Sequence, residues 1–147
     1  MRVGVEMGGT KCVCTLGTGP GDIRAQQVFP TRDPATTLAD VSELIDHWRR
    51  NFGEPMSIGI GAFGPLDLRR DSPNYGRIGA TTKELWRQFD LLGYFRQRYA
   101  VPVELSTDVI GAALAEGRWG AAQGLTDHAY VTVGTGVGGG AGWDASG

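Results

Sequence analysis

The sequence predicts a mixed α/β chain in which antiparallel strands come first and parallel strands alternate with helices afterwards. Three observations carry this expectation. Residues 2–17, "RVGVEMGGTKCVCTLG", place two strand-like runs on either side of a Gly-Gly turn. Residues 36–52 change to a helical period. Near the C-terminus, "YVTVGTGVGGGAGW" repeats the design of strand, glycine turn and strand.

The elements follow in order. "RVGVEM" and "KCVCTLG" read as antiparallel partners, and "DIRAQQVFP" as a third strand closed by Pro30. From Thr36 to Phe52, Leu38, Val41, Leu44, Ile45 and Trp48 form one apolar stripe, which predicts an amphipathic helix. "MSIGIGAFG" is an apolar strand with small residues, of the kind buried between layers. Residues 64–86, "GPLDLRRDSPNYGRIGATTKELW", are rich in turn formers and predict a long loop with room for a short hairpin. Long ordered loops in compact domains are often functional. "QFDLLGYFRQRYA" then reads as a helix, "VPVELS" as a short strand, and "DVIGAALAEGRWGAA" as a helix whose small residues allow close packing. "HAYVTVG" leads into the second glycine turn.

Three antiparallel strands followed by helices alternating with parallel strands fit a ribonuclease H-like unit. The second hairpin resembles the opening of another copy of that unit. The expected division is residues 1–122 as one such domain and 123–147 as the incomplete start of a second.

With 147 residues and 41% hydrophobic content, the chain is long enough for a real core. A net charge of -2 gives no global attraction to nucleic acid or to anionic membranes, so any anion must be held locally. No apolar run reaches the length of a spanning helix, and "MRVGVEMGG" lacks the pattern of a signal peptide, so the expected location is cytoplasmic. Cys12 and Cys14 lie two apart on one strand face, which makes a disulfide between them unfavourable and predicts buried free thiols.

A Gly-Gly hairpin turn can exist for its geometry alone, because such turns need positive φ. Here Glu6 precedes the turn, and Thr10 and Lys11 follow Gly8 and Gly9. Glycine amides can cradle phosphate oxygens, and a carboxylate such as Glu6 can hold Mg²⁺ through water. "GTGVGGG" matches the spacing of a dinucleotide fingerprint at Gly134, Gly136 and Gly139, but no helix pattern follows it. It reads better as a second phosphate-binding hairpin, with Gly134, Gly136 and Gly138 supplying backbone and Thr135 an extra donor. Asp108 stands where a strand hands over to a helix. It is either an N-cap or a carboxylate placed to take a proton from a substrate hydroxyl. In phosphoryl transfer such a base positions the nucleophile more than it activates it. Asp67 in "FGPLD" is a turn residue or a ligand to a polyol, and Lys83 with Trp86 in "TTKELW" suits a sugar or local packing.

Taken together, "EMGGTKCV", "IGIGAFGPLDL", "TTKELW", "STDVIGAALAEGRWGAA" and "YVTVGTGVGGG", in this order, resemble the ROK family of bacterial sugar kinases. The fructokinase branch is the nearest likeness. Glu6 in place of the aspartate usual in ROK glucokinases, and "FGPLD" in place of a "PGPVD"-like segment, lean that way. The resemblance implies an actin-like fold of two ribonuclease H-like domains, with ATP and sugar in the cleft between them. It implies that Gly8, Gly9, Thr10 and Lys11 form one phosphate segment and Gly134 to Gly140 the other. It also implies that Asp108 is the catalytic base. Thr107 occupies the position where many members have a sugar-binding Asn, and "TTK" lacks the proline often found in the fructokinase loop.

The expected function is therefore an ATP-dependent, Mg²⁺-using sugar kinase, first of all for fructose, represented by its N-terminal half and inactive by itself. Zinc is expected in the full-length family, but its His- and Cys-rich motif is absent from these residues. The expected partners are a sugar and ATP, with a homodimer or a separately encoded second half as further possibilities, and no nucleic acid or membrane. The alternatives are a kinase for glucose, mannose or an N-acetylhexosamine, a sugar-binding regulator of the same family, and a non-catalytic remnant or partner domain.

Overall fold

The structure is a computed structural model and describes residues 1–134 and 136–143. Its main body is a five-stranded sheet in the order β3-β2-β1-β4-β5, built from β1 (Arg2–Met7), β2 (Lys11–Gly19), β3 (Asp22–Pro30), β4 (Ile58–Ala62) and β5 (Val103–Thr107). The first three strands are antiparallel, and β4 and β5 then add in parallel to β1. This is the hairpin-first, parallel-later order that the sequence predicts.

Strand alternation divides the sheet into two unlike faces. Val3, Val5, Met7, Cys12, Cys14, Leu16, Ile58, Ile60, Ala62, Val103 and Leu105 are buried together in the core cluster, with helices α1 (Pro34–Phe52) and α2 (Leu91–Arg98) on that side. Both cysteines are free and buried on this face. The hydrogen bond with Cys12, together with burial, pushes the Cys14 thiol above its usual range, so it stays protonated. The opposite face carries Gly4, Glu6, Gly59 and Gly61, and receives α3 (Asp108–Trp119).

The helices begin where their caps allow. Asp33 accepts from the Thr36 amide at 2.9 Å, and Pro34 occupies the first turn, so α1 starts two residues before the periodic stripe predicts. Its buried Leu38, Val41, Ile45 and Trp48 are the predicted stripe. Asp90 accepts from the Gly93 amide at 2.9 Å, which starts α2 at Leu91 and leaves Gln88 and Phe89 outside the helix. The two helices are joined by Ser42 Oγ and the Tyr94 hydroxyl at 2.9 Å.

The predicted long loop is ordered by side chains. Leu66 and Ile78 form an isolated antiparallel bridge, and a 3₁₀ turn covers Glu84–Trp86. Trp86, only 1% exposed, packs edge-on against Phe63 and Phe89 and donates through Nε1 to the Arg32 carbonyl at 2.8 Å. A buried aromatic ring with its one polar atom satisfied is a strong local anchor.

The last two strands, β6 (Asp127–Val133) and β7 (Val137–Trp143), form a separate two-stranded antiparallel sheet against α3. Among the described residues, no helix is long and apolar enough to cross a membrane.

Because Trp86 fixes the loop to α1's N-terminal approach, Trp86→Ala is expected to lower stability by about 3–5 kcal/mol. Denaturant unfolding checks this, and limited proteolysis is expected to cut first between residues 79 and 87.

Candidate functional site

The parallel register brings three strand ends into one row. Met7 pairs with Ala62, and Ala62 with Thr107, so β1, β4 and β5 all finish at the same edge of the sheet. The residues that follow them are Gly8, Phe63 and Asp108. Ligands of open α/β sheets bind at the carboxyl ends of parallel strands, where loops diverge and backbone groups lie free.

The first glycine turn is fixed by its frame and open at its tip. The Gly8 amide donates to the Lys11 carbonyl at 2.9 Å. Thr31 holds the turn from the side, its hydroxyl donating to the Gly8 carbonyl at 2.8 Å and its amide to the Thr10 carbonyl at 2.9 Å. The Gly9 and Thr10 amides donate to no acceptor among the described residues. Such free amides at a rigid turn suit an anion, and a Cβ on Gly8 would stand only 3.0 Å from the Lys11 carbonyl oxygen. Sequence reading missed Thr31, because its role depends on how β3 aligns with β2 and carries no local signal.

Asp108 begins α3 without capping it. The cap is Thr107, whose Oγ1 accepts the Ile110 amide at 3.2 Å. This corrects the N-cap reading of Asp108 and gives the Thr107 hydroxyl a structural task of its own. Asp108 Oδ1 accepts only the neighbouring Val109 amide at 2.9 Å, and Oδ2 has no protein partner among the described residues. The half-buried carboxylate therefore keeps one oxygen without a protein partner among the described residues. Glu6 is exposed on the same sheet face and pairs in register with Gly61, where an added Cβ would lie 3.5 Å from the Asp108 Cα. The start of α3 therefore lies over Gly61 at ordinary van der Waals distance.

The strand that follows the second glycine turn, β7, packs on the start of α3. A Cβ on Gly138 would meet Val109 Cγ1 at 2.9 Å, and one on Gly140 would meet the Val109 carbonyl oxygen at 2.6 Å. Further along, Gly142 faces the His128 ring, which packs against Gly117 and meets the Ala113 carbonyl through Nε2 at 2.8 Å. β7 thus runs along α3 from its first turn. Thr135, the proposed extra donor, lies outside the described residues.

Lys83 and Asp67 come from the long loop but have different surroundings. Lys83 Cε lies 3.5 Å from where a Cβ on Gly9 would stand, so its side chain rests on the first glycine turn. The Asp67 carboxylate instead closes its own loop, accepting from the Ser72 hydroxyl at 2.6 Å and from Arg69 Nη2 at 3.1 Å. Those two partners hold its carboxyl down at about 2. Among the described residues, no group of three or more His, Cys, Asp or Glu could hold a metal ion, so a cation here would depend on single carboxylates, water and the ligand. Two grooves lie apart from these residues. One of about 330 Å³ borders Leu114 and His128, and one of about 550 Å³ borders Gly4, Ile23 and Trp119; Asp108 lines neither.

A sequence model described as "ROK family" matches residues 2–145. The chain belongs to the ROK family. Its similarity to named ROK-type relatives is substantial. A fructokinase of Zymomonas mobilis is 42% identical over 137 residues, covering 92% of this chain and 46% of that relative. The solved ROK hexokinase from Thermus thermophilus superposes with a TM-score of 0.72 at 31% identity, over 95% of this chain and 45% of that one. A ROK family glucokinase from Streptomyces griseus, solved with glucose and AMPPNP, gives 0.74 at 30% identity, over 95% of this chain and 43% of that one. These likenesses establish the actin-like ATPase fold. The chain spans about half the length of the curated relatives it matches.

The Asp67 network sets a pH test. Its folded pKa lies below the ordinary 3.8, so its contribution is complete above that value and is lost as pH falls towards about 2. Asp67→Asn is expected to melt lower than the parent above about pH 5, with the gap closing between about pH 4 and 2 in thermal scans. A gap that stays constant through that window contradicts the assignment.

Proposed function

We propose that this chain carries the first half of the active site of an ATP-dependent sugar kinase, with fructose as the first candidate substrate. The observation that supports this reading best is the carboxylate Asp108 at the carboxyl edge of the sheet, in one row with the first glycine turn and next to Val109, on which β7 of the second glycine hairpin packs. Similarity to a protein named fructokinase, at 42% identity, favours fructose over other hexoses. Glucose remains the principal competitor, because a similar structure is a glucokinase.

In this reading Asp108 Oδ2 receives the proton of a primary sugar hydroxyl. The hydroxyl oxygen forms a bond to the γ-phosphorus, while the bond from that phosphorus to the bridging oxygen breaks and ADP leaves with the electron pair. Asp108 keeps the nucleophile in line, which is the main demand of a loose transition state. The Gly9 and Thr10 amides and the second glycine turn oppose the charge on the transferred group. Glu6, exposed beside Gly61, fits a magnesium ion held through water, which supplies further neutralisation of phosphate charge when bound. Thr107 and Asp67 take structural roles first, and a sugar contact from either is secondary. A cytoplasmic setting accords with the two free thiols.

Val131, Val133 and Val137 of the second sheet are 65%, 79% and 77% exposed. We read them as surface that the rest of a relative-length protein, or a separately encoded second half, covers. The expected result is therefore binding without turnover. In calorimetry, fructose is expected to bind weakly and glucose more weakly, and Asp108→Ala is expected to reduce fructose affinity about tenfold or more. Equal affinity in the variant contradicts the role of Asp108. Efficient fructose-dependent ATP turnover by this chain alone contradicts the half-site reading.

A further inference from the structure

We propose that Lys83, together with Lys11, holds the terminal phosphoryl group of the donor above the Gly8–Gly9 turn. Lys83 is then a phosphate-contacting residue and not a sugar ligand. This inference rests on the kinase reading and refines it.

The starting point is a division of labour among the basic residues. The chain has twelve arginines and only two lysines, Lys11 and Lys83. Every ion pair formed among the described residues uses an arginine, from Arg24 with Asp22 to Arg98 with Asp46. The lysines have no carboxylate partner among those residues, and they are far apart in sequence yet both border one turn. Lys11 leaves that turn as the first residue of β2, and Lys83 arrives from the loop with its Cε against Gly9.

The surroundings of Lys83 position a cation without neutralising it. Its amide donates to Thr81 Oγ1 at 3.3 Å, and its carbonyl accepts the Trp86 amide at 2.9 Å. Trp86 is the buried anchor of the loop, so the lysine backbone is tied to the core. Its Nζ stands 6.0 Å from the Phe63 ring centroid. An aromatic face steers an ammonium but leaves its charge and three donors available. Arginine suits fixed, planar pairing, whereas lysine acts as a compact, reorienting point charge, the form that serves a phosphoryl group moving between two oxygens.

The choice of phosphate over sugar follows from what lies next to each lysine. The Gly9 and Thr10 amides are free donors at this turn, the Lys83 side chain rests on it and Lys11 follows it in sequence. Neither lysine is paired with a carboxylate among the described residues, so the turn is a spot of free donors and cationic residues on a chain of net charge -2. Neutral hydroxyls gain little from such a spot, and a polyanion gains most.

Amine-specific chemistry tests this directly, because the chain has only these two lysines and the Met1 amine. Reductive methylation of the whole chain, followed by peptide mass spectrometry, gives a rate for each amine. Inorganic tripolyphosphate at about ten times its Kd is expected to slow modification of Lys83 and Lys11 about tenfold, with Met1 unchanged. Fructose alone is expected to leave Lys83 unprotected. Calorimetry adds a second reading: Lys83→Met weakens tripolyphosphate binding about tenfold and Lys83→Arg restores part of it. Protection of Lys83 by fructose but not by tripolyphosphate overturns the assignment, as does its absence with both. Fructose affinity indifferent to Asp108→Ala defeats the kinase reading instead, and leaves a tripolyphosphate result on Lys83 standing as an anion site.

Discussion

The site depends on how closely the β7 backbone approaches the first turn of α3. A Cβ at Gly140 would stand 2.6 Å from the Val109 carbonyl oxygen, and backbone cannot yield as the end of a flexible side chain does. Only a strand without a side chain at Gly140 can lie there, and a Cβ at Gly138 would press on the Val109 side chain at 2.9 Å. The same helix start lies over the sheet at Gly61, where a Cβ would make ordinary contact at 3.5 Å from the Asp108 Cα. The helix start thus meets glycine backbone on two sides, β4 at Gly61 beside Asp108 and β7 at Gly140 beside Val109. Most of the geometry proposed for catalysis follows from that double approach.

The parallel register supplies the rest. Met7, Ala62 and Thr107 end in one row, so a glycine turn, an aromatic residue and a carboxylate emerge together without any long-range tuning. Thr107 takes the cap of α3, which frees one oxygen of the Asp108 carboxylate. The loop anchored by Trp86 then brings Lys83 to the Gly8–Gly9 turn. Charge is concentrated by topology here, since the chain as a whole is slightly acidic.

Much of this was legible in the sequence, and the failures have physical causes. Strand alternation and the Leu38, Val41, Ile45, Trp48 stripe report burial directly, so those elements appear where expected. The limits of α2 depended on Asp90, one capping residue among several polar candidates. "STD" presents three residues able to cap α3, and the phase of the strand selects Thr107, which no local pattern reveals. Asp67 looked available to a ligand because Arg69 and Ser72 are ordinary loop residues until the chain folds back. The positions of Thr31 and Lys83 arise from contacts between distant segments, as does the bond from Trp86 to Arg32 across 54 residues. Periodicity cannot encode such meetings.

The most direct test is hydrogen exchange on Gly140→Ala beside the parent chain. The added methyl is expected to cost roughly 1–3 kcal/mol, because backbone must shift to admit it. Exchange is then expected to rise at the amides of β6, β7 and the first turn of α3, while the five-stranded sheet keeps its protection. Unchanged protection in β6 and β7 would mean that β7 does not rest on the start of α3, and the proposed assembly of the site around Asp108 would be wrong.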